Sequence, residues 1–375
     1  MQRVNRLALT VLALVMSLTV SAAAKPIGSG KYLFAQPNAS GPPTIEGQPF
    51  TIVRVFYGTD RNAIPTPKGL RFGSRRAPSL ALGSCTVSIP KDHRLGEWEK
   101  PTILTLTFSV DQSKHVVLLS TTRIERTDFS RQLRQRVMSH GKEAFVFVHG
   151  YNVTFDEAVQ RTALLAYDLK FNGVPIAFSW PSRGHLADYP ADEESAEYAI
   201  PDLEDFLSLV AKESGATKIH LIAHSMGNRT LLGALSRLRA EGRAPTNLAE
   251  AVLTAPDVDR DIFVQLVRSA ITTVSRVTLY ASSRDKALTA SRRFHDDARA
   301  GEGGARILLM SAIDSVDVSA VSTDFIGHSY FGDNRSVISD LFYLIRLGAP
   351  PDLRVCLSRR RSTPPYFWVF DRCRD

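Results

Sequence analysis

The sequence predicts an α/β fold with a doubly wound, mostly parallel sheet, and three observations indicate it. From residue 144 onward, short apolar runs alternate with amphipathic segments of helical length. This alternation is typical of parallel strands joined by helices that cover both faces of a sheet. Before residue 121, the chain instead shows β-like runs separated by turn residues such as Pro65, Gly69 and Gly73. With 375 residues and 44% hydrophobic content, the chain can also bury a large core.

The N-terminal β-like runs are expected to extend the sheet or to pack beside it. They are FTIVRVFYG at 50–58, CTVSIP at 85–90, ILTLTFSV at 103–110 and HVVLLS at 115–120. The six strand candidates that follow are AFVFVHG, PIAFSW, KIHLIAHS, EAVLTAP, RVTLYAS and ARILLMS. Helical spacing of apolar residues predicts helices over 154–170, 193–212, 228–239 and 260–271, with a last helix after Asp333.

The first 24 residues predict a cleaved secretory signal peptide. Arg3 and Arg6 precede an apolar run that closes in three alanines ending at Ala24. The run from Leu7 to Val20 is shorter than the roughly 20 residues that a membrane-spanning helix needs, which disfavours a membrane anchor. We therefore expect a periplasmic or secreted protein.

Composition divides the rest of the chain into four parts. We expect a flexible leader over 25–48, a β-rich part over 49–140, an α/β core over 141–348 and a C-terminal extension over 349–375.

Charge and cysteines limit the partners that the chain is expected to have. Without the signal peptide the net charge is +6, a mild excess that favours peripheral contact with an anionic envelope surface. No basic run with interleaved aromatics crosses the core, so nucleic-acid binding is not expected. In an exported protein, Cys356 and Cys373 could close a disulfide, whereas Cys85 is expected to be a small buried residue. The cysteines lack zinc-ligand spacing, so no metal is expected.

Ser225 is the candidate nucleophile, because it stands between the third apolar run and a helix in the sequence AHSMGN. Small residues at Ala223 and Gly227 would allow the sharp turn of a nucleophile elbow, although the usual motif has glycine at the position of Ala223. The alternative is a serine that caps the following helix.

A nucleophilic serine needs a base and an acid that orients the base. Asp285 follows the fifth run and His328 follows the sixth, which is the chain order expected on this kind of sheet. Asp257, after the fourth run, is an alternative acid.

The loop after the first run, HGYN, is a candidate oxyanion loop because Gly150 permits close backbone approach. The backbone N–H groups of Tyr151 and Met226 are the predicted donors. A substrate pocket is predicted from His149, Gly150, Trp180 and His224, with a structural role favoured for the His149 side chain. Asp192, Glu193 and Glu194 are interpreted as the first turn of an exposed helix.

Several of these stretches together carry a resemblance to a known family. They are VFYGTDRN, VSIPKDHRLGEWE, FVFVHGYNVTFDEA, FSWPSRG, IHLIAHSMGNRTLL, LYASSRDKAL and GHSYF, and they span the chain from about Val55 to Leu347. In these residues the chain resembles a bacterial α/β-hydrolase family of unknown function within the esterase and lipase superfamily. The resemblance implies a serine-hydrolase fold with Ser225 as nucleophile, Asp285 as acid and His328 as base.

The resulting hypothesis is an exported serine hydrolase that forms an acyl-enzyme on Ser225 and needs no cofactor. Esters of small molecules or lipids are the first expected substrates, and amides or thioesters are possible as well. The alternative is a catalytically silent protein of the same fold that binds an envelope ligand or partner.

Overall fold

The computed structural model describes residues 48–67, 69–100, 111–185, 188–295, 297–321, 334–361 and 363–371. The predicted signal peptide, the leader up to residue 47 and the run at 103–110 lie outside the described residues. His328 and Cys373 lie outside them as well.

An eleven-stranded sheet forms the centre of the described structure, in the order β10-β11-β9-β8-β7-β6-β4-β5-β1-β2-β3. Its strands are β1 (Phe50–Thr66), β2 (Gly69–Pro90), β3 (Val117–Arg123), β4 (Glu143–Val148), β5 (Val174–Ser179), β6 (Lys218–His224), β7 (Leu248–Thr254), β8 (Arg276–Ala281), β9 (Ile313–Asp317), β10 (Leu357–Arg359) and β11 (Phe367–Phe370).

Helices cover both faces of the sheet and bury an apolar core on each side. Those in the described residues are α1 (Arg126–Ser139), α2 (Phe155–Asp168), α3 (Tyr189–Tyr198), α4 (Ile200–Glu213), α5 (Gly227–Ala240), α6 (Arg260–Ala270), α7 (Lys286–His295) and α8 (Asn334–Leu347). None of the helices in these ranges is long and apolar enough to span a membrane.

The centre of the sheet is parallel, which confirms the predicted α/β class. Strands β5, β4, β6, β7, β8 and β9 pair in parallel, and β1 joins this block through a parallel ladder with β5. The N-terminal strands β2 and β3 extend the same sheet in antiparallel pairing. At the opposite edge, β11 pairs in parallel with β9, and Cys356 near β10 is disulfide-bonded. Its pairing with Cys373 stays a prediction, while Cys85 is free and buried.

Two predicted elements were wrong. The helix expected over 193–212 is two helices, α3 and α4, that meet at Ala199, with Pro201 in the first turn of α4, where its missing N–H is not needed. The sixth strand is not ARILLMS but Ile313–Asp317. Ile307 and Leu308 are buried outside any strand, and Leu308 accepts a hydrogen bond from the Ser315 hydroxyl at 2.6 Å. Their apolar character therefore reflects burial and not strand pairing.

Candidate active site

Ser225 lies in a tight turn between the end of β6 and the start of α5, with its side chain partly exposed. Its φ angle is 50°, a left-handed value that non-glycine residues adopt only when their surroundings enforce it. The backbone N–H of Ser225 donates to the Thr254 carbonyl at 3.0 Å, and the Asn228 side-chain amide donates to the Ser225 carbonyl at 2.8 Å. These bonds hold the turn in its strained shape.

Steric packing explains the small residues two positions before and after Ser225, which are Ala223 and Gly227. A Cβ on Gly227 would lie 2.3 Å from the carbonyl oxygen of His149, so α5 can approach β4 only with glycine there. Ala223 is fully buried inside β6, where it pairs with Val148 of β4 and Leu253 of β7. Its methyl group is accommodated there, which explains why alanine can replace the usual glycine.

The predicted oxyanion loop packs directly on the serine turn. A Cβ on Gly150 would lie 2.9 Å from the Cβ of Ser225 and 3.1 Å from Nδ1 of His224, which is partly exposed. Tyr151 follows in the chain, so its backbone lies next to the turn. Met226 stands at the start of α5, where the first amides of a helix have no acceptor within the helix.

The side chain of His149 contacts nearby loop backbone, which is the structural role favoured from the sequence, whereas Trp180 is not at a substrate pocket as predicted. Both side chains are fully buried and stack with ring centroids 4.8 Å apart, so they support the loop and do not line a pocket. The indole N–H of Trp180 donates to the His149 carbonyl at 2.8 Å. Burial and the nearby charge of Arg61 hold the pKa of His149 well below its usual value, so its imidazole is neutral.

Asp192 is not on an exposed turn as expected, but fully buried. Its carboxylate accepts hydrogen bonds from the Ser182 hydroxyl at 2.5 Å, from the Arg183 N–H at 2.8 Å and from the Asn152 N–H at 3.2 Å. It thereby ties α3 to the loops that follow β4 and β5. Sequence reasoning missed this role, because an acid near a helix start is usually explained by the helix dipole.

Arg61 of β1 is a second residue that sequence reasoning missed, and it is 1% exposed. Its guanidinium contacts both loops near Ser225, including the Val153 carbonyl at 2.7 Å. The signal available in the sequence was a charged pair, Asp60 and Arg61, just after the strand-like run at 50–58.

Both candidate acids lie at the same edge of the sheet as Ser225. Asp285 follows β8, and its Oδ1 accepts the N–H of Leu288 at the start of α7 at 3.0 Å. Asp257 follows β7 and is 5% exposed, and both of its oxygens are engaged. Its Oδ2 accepts the Tyr189 hydroxyl at 2.8 Å and its Oδ1 accepts the Ser291 hydroxyl at 2.6 Å.

The described structure thus brings the serine turn, the HGYN loop and two acids to one edge of the sheet, while the predicted base, His328, lies outside the described residues. Within the ranges that the structure describes, no cluster of three or more histidine, cysteine or acidic side chains is arranged to hold a metal. A partly exposed serine hydroxyl at such a turn is chemically able to act as a nucleophile when a base lies beside it.

Comparison with known proteins connects this chain to one family. The family model described as alpha/beta hydrolase of unknown function (DUF900) matches residues 124–346. An uncharacterized protein of Nostoc sp. is 29% identical over 153 residues, and the match covers 34% of this chain and 39% of that relative. The chain thus spans about two fifths of the length of this curated relative.

Solved structures that align with the chain include two esterases. An esterase of Pyrobaculum calidifontis is 13% identical, with a TM-score of 0.35, and the alignment covers 77% of this chain and 84% of that one. A fungal esterase from Rhizomucor miehei is 12% identical, with a TM-score of 0.38, and the alignment covers 81% and 84% of the two chains.

Proposed function

The chain belongs to the alpha/beta-hydrolase family of unknown function DUF900, and on this premise we propose that it is a serine hydrolase whose nucleophile is Ser225. The observation that carries the proposal is the backbone of Ser225, which has a φ of 50° at the junction of a buried strand and a helix. Such a conformation in a residue with a side chain costs about 1–3 kcal/mol and is concentrated at functional sites. A helix-capping serine has no need of it.

The proposed reaction uses the residues around this turn. Oγ of Ser225 attacks the carbonyl carbon of the substrate while His328 takes its proton, and Asp285 holds the imidazole in the required tautomer. The negative charge that develops on the carbonyl oxygen is stabilised by the backbone N–H groups of Tyr151 and Met226. His328 then protonates the leaving group, and water releases the acid product from Ser225.

Esters are the proposed substrates, with amides and thioesters as further candidates, because the same triad chemistry acts on all three. A series of nitrophenyl esters of increasing chain length would define the acyl preference. If every ester fails while Ser225 still reacts with an acylating probe, amides and thioesters become the leading candidates.

We further propose that the enzyme acts in the periplasm or outside the cell. The support is the sequence of residues 1–24, with two arginines, an apolar run and a closing group of alanines. Protein recovered from the periplasm or medium is expected to begin at Lys25 when its N-terminus is measured by mass spectrometry. An intact N-terminus at Met1 in that material would contradict cleavage.

A fluorophosphonate probe tests the nucleophile directly. We expect the probe to label the wild-type protein and to leave Ser225→Ala unlabelled, because the probe phosphonylates an activated serine hydroxyl. Ser139→Ala is the matched control, since Ser139 is an exposed serine at the end of α1, at the opposite edge of the sheet. Equal labelling of wild type and Ser225→Ala, or no labelling of either, would favour the silent binding protein instead.

A further inference from the structure

Arg61 lies in β1, within the stretch GTDRN at 58–62, and its side chain is buried. Every N–H of its guanidinium has an acceptor. Nε donates to the Ser179 hydroxyl at 2.8 Å. Nη1 donates to the carbonyls of Gly73 and Ser182 at 3.1 and 2.9 Å. Nη2 donates to the Val153 carbonyl at 2.7 Å and faces Nε2 of His149 at 3.4 Å. Five donors and five acceptors leave the guanidinium with one orientation.

Four of the five acceptors belong to the segments that surround the serine turn, and the fifth, the Gly73 carbonyl, lies in β2. Val153 and His149 lie in the loop after β4, while Ser179 and Ser182 lie at the end of β5 and in the loop after it. Arg61 therefore joins two loops that are separated from it by about 90 and 120 residues along the chain. A hydrogen-bond network of this kind fixes backbone positions more firmly than isolated loop contacts do.

The contact with His149 sets the proton position on that imidazole. Nε2 faces two donors, the Arg61 guanidinium and the Ser179 hydroxyl at 3.2 Å, whereas Nδ1 lies 2.7 Å from the Gly150 carbonyl oxygen. The tautomer that satisfies these partners carries its proton on Nδ1 and donates it to Gly150. Nε2 also lies 3.1 Å from the Trp180 carbonyl, but a proton on Nε2 would leave Nδ1 facing the Gly150 oxygen without a hydrogen.

The bond to Gly150 has a direct consequence for the oxyanion loop. A trans peptide is planar, and its C=O and N–H groups point in opposite directions. When His149 holds the carbonyl of Gly150, the N–H of Tyr151 in the same peptide must point away from His149. Gly150 itself packs against Ser225, so the orientation of this peptide determines where the Tyr151 donor points beside the nucleophile.

The guanidinium also brings a positive charge behind this loop. Its hydrogen-bond acceptors are all neutral groups, and no carboxylate of the described residues forms a close ion pair with it, although the nearby carboxylates of Asp60 and Asp192 act on its charge. Burial lowers the pKa of Arg61 to about 10, so the side chain remains charged at neutral pH. In a dry interior such a charge stabilises negative charge that develops nearby.

We infer that Arg61 is a positioning residue for the oxyanion hole: it orients the Gly150–Tyr151 peptide through His149 and places a buried positive charge behind it. The inference rests on the proposed function, because it assigns Arg61 a part in stabilising the oxyanion formed at Ser225. It gives the GTDRN motif a role in transition-state stabilisation and not in substrate binding.

Steady-state kinetics of Arg61→Ala test the inference with the best nitrophenyl ester. We expect kcat to fall by about 10²-fold, the loss typical of one oxyanion donor, while KM stays within about threefold. Guanidinium chloride, below the concentrations that unfold the protein, should restore kcat at least about tenfold by filling the vacated site. Sodium chloride at equal ionic strength should not. Arg54→Ala is the matched control, because Arg54 lies on the same strand and bonds Ser84 and Gln132 away from this edge.

The outcomes of this experiment distinguish a failure of the inference from a failure of the proposed function. A wild type that neither hydrolyses esters nor reacts with the probe would overturn the proposed function and this inference with it. An active wild type with a folded Arg61→Ala of unchanged kcat, or with a loss that guanidinium does not reverse, would overturn the inference alone. If Arg61→Ala does not fold, Ser179→Ala replaces it, because Ser179 links the Arg61 Nε to His149. An unchanged kcat in that variant would contradict the inference as well.

Discussion

Asp285→Asn is expected to lower kcat by about 10³–10⁴-fold, the effect of a triad whose base is held in the wrong tautomer. An asparagine at this position retains an oxygen for the N–H of Leu288, so the start of α7 should keep its cap and the protein its fold. The loss should therefore appear in kcat and not in the free energy of unfolding. Nitrophenyl ester kinetics and urea unfolding of the same samples would measure the two effects.

Asp257→Asn is the matched control and also the test of the alternative acid. Both oxygens of Asp257 already accept hydrogen bonds from Tyr189 and Ser291, and Nε of Arg299 lies 3.4 Å from Oδ1. We expect this variant to lose stability, by about 1–3 kcal/mol, because it weakens a buried hydrogen-bonded network. Its kcat should stay within about tenfold of wild type. If Asp257→Asn instead loses activity as strongly as Asp285→Asn is expected to, Asp257 is the triad acid.

Asp60→Asn is expected to stabilise the protein at neutral pH, which is unusual for a change in a buried strand. Asp60 is fully buried and, within the described residues, neither carboxylate oxygen has a hydrogen-bond partner. Burial, together with the negative charge of Asp202, raises its pKa from 3.8 to about 7, although its own backbone N–H, Arg61 and Arg76 act in the opposite direction. Between pH 3.8 and about 7, Asp60 therefore keeps a proton in the folded protein that it has already released in the unfolded chain.

The sign of the pH dependence follows from this difference. Between pH 3.8 and about 7 the folded state holds more protons than the unfolded state, so the free energy of unfolding falls as pH rises and then levels off. The shift corresponds to a loss on the order of 4 kcal/mol across this range. An asparagine does not titrate, so we expect Asp60→Asn to lack this fall and to gain a few kcal/mol, on the order of 2–4, above pH 7.

Urea unfolding between about pH 4 and pH 8 measures this prediction. Asp128→Asn is the matched control, because Asp128 is an exposed aspartate on α1 that pairs only with Arg131 among the described residues. Parallel pH profiles of Asp60→Asn and wild type would mean that Asp60 is not protonated in the folded protein. A variant that is less stable than wild type above pH 7 would mean that the carboxylate has a partner in solution.

The boundaries of several elements could not be predicted, for a physical reason. Ile307 and Leu308 are as apolar as a strand requires, but they are buried outside the sheet, and the neighbouring segment Ile313–Asp317 pairs with β8 instead. A run of apolar residues indicates burial, whereas strand pairing depends on which backbone is adjacent in space. The break between α3 and α4 at Ala199 was missed in the same way, because helical spacing continues across it.

By itself, the sequence determined the α/β class, the family and the position of the serine turn. These features are local, because apolar spacing follows the period of each element, and the turn at Ser225 depends on small residues two positions away. The family and the parallel sheet confirm that part of the interpretation, and the roles of Asp285 and His328 stay predictions.

Only the tertiary structure decided what Arg61, Asp60, His149 and Asp192 do. Each is a polar or charged group buried at the edge of the sheet, and the cost of burying it depends on its partners. Arg61, His149 and Asp192 have partners on other segments, such as Ser182 for both Arg61 and Asp192, whereas Asp60 has none in the described residues. The local sequence does not show that residues 61 and 182 are neighbours in space, so the roles of these four residues are visible only in the folded structure.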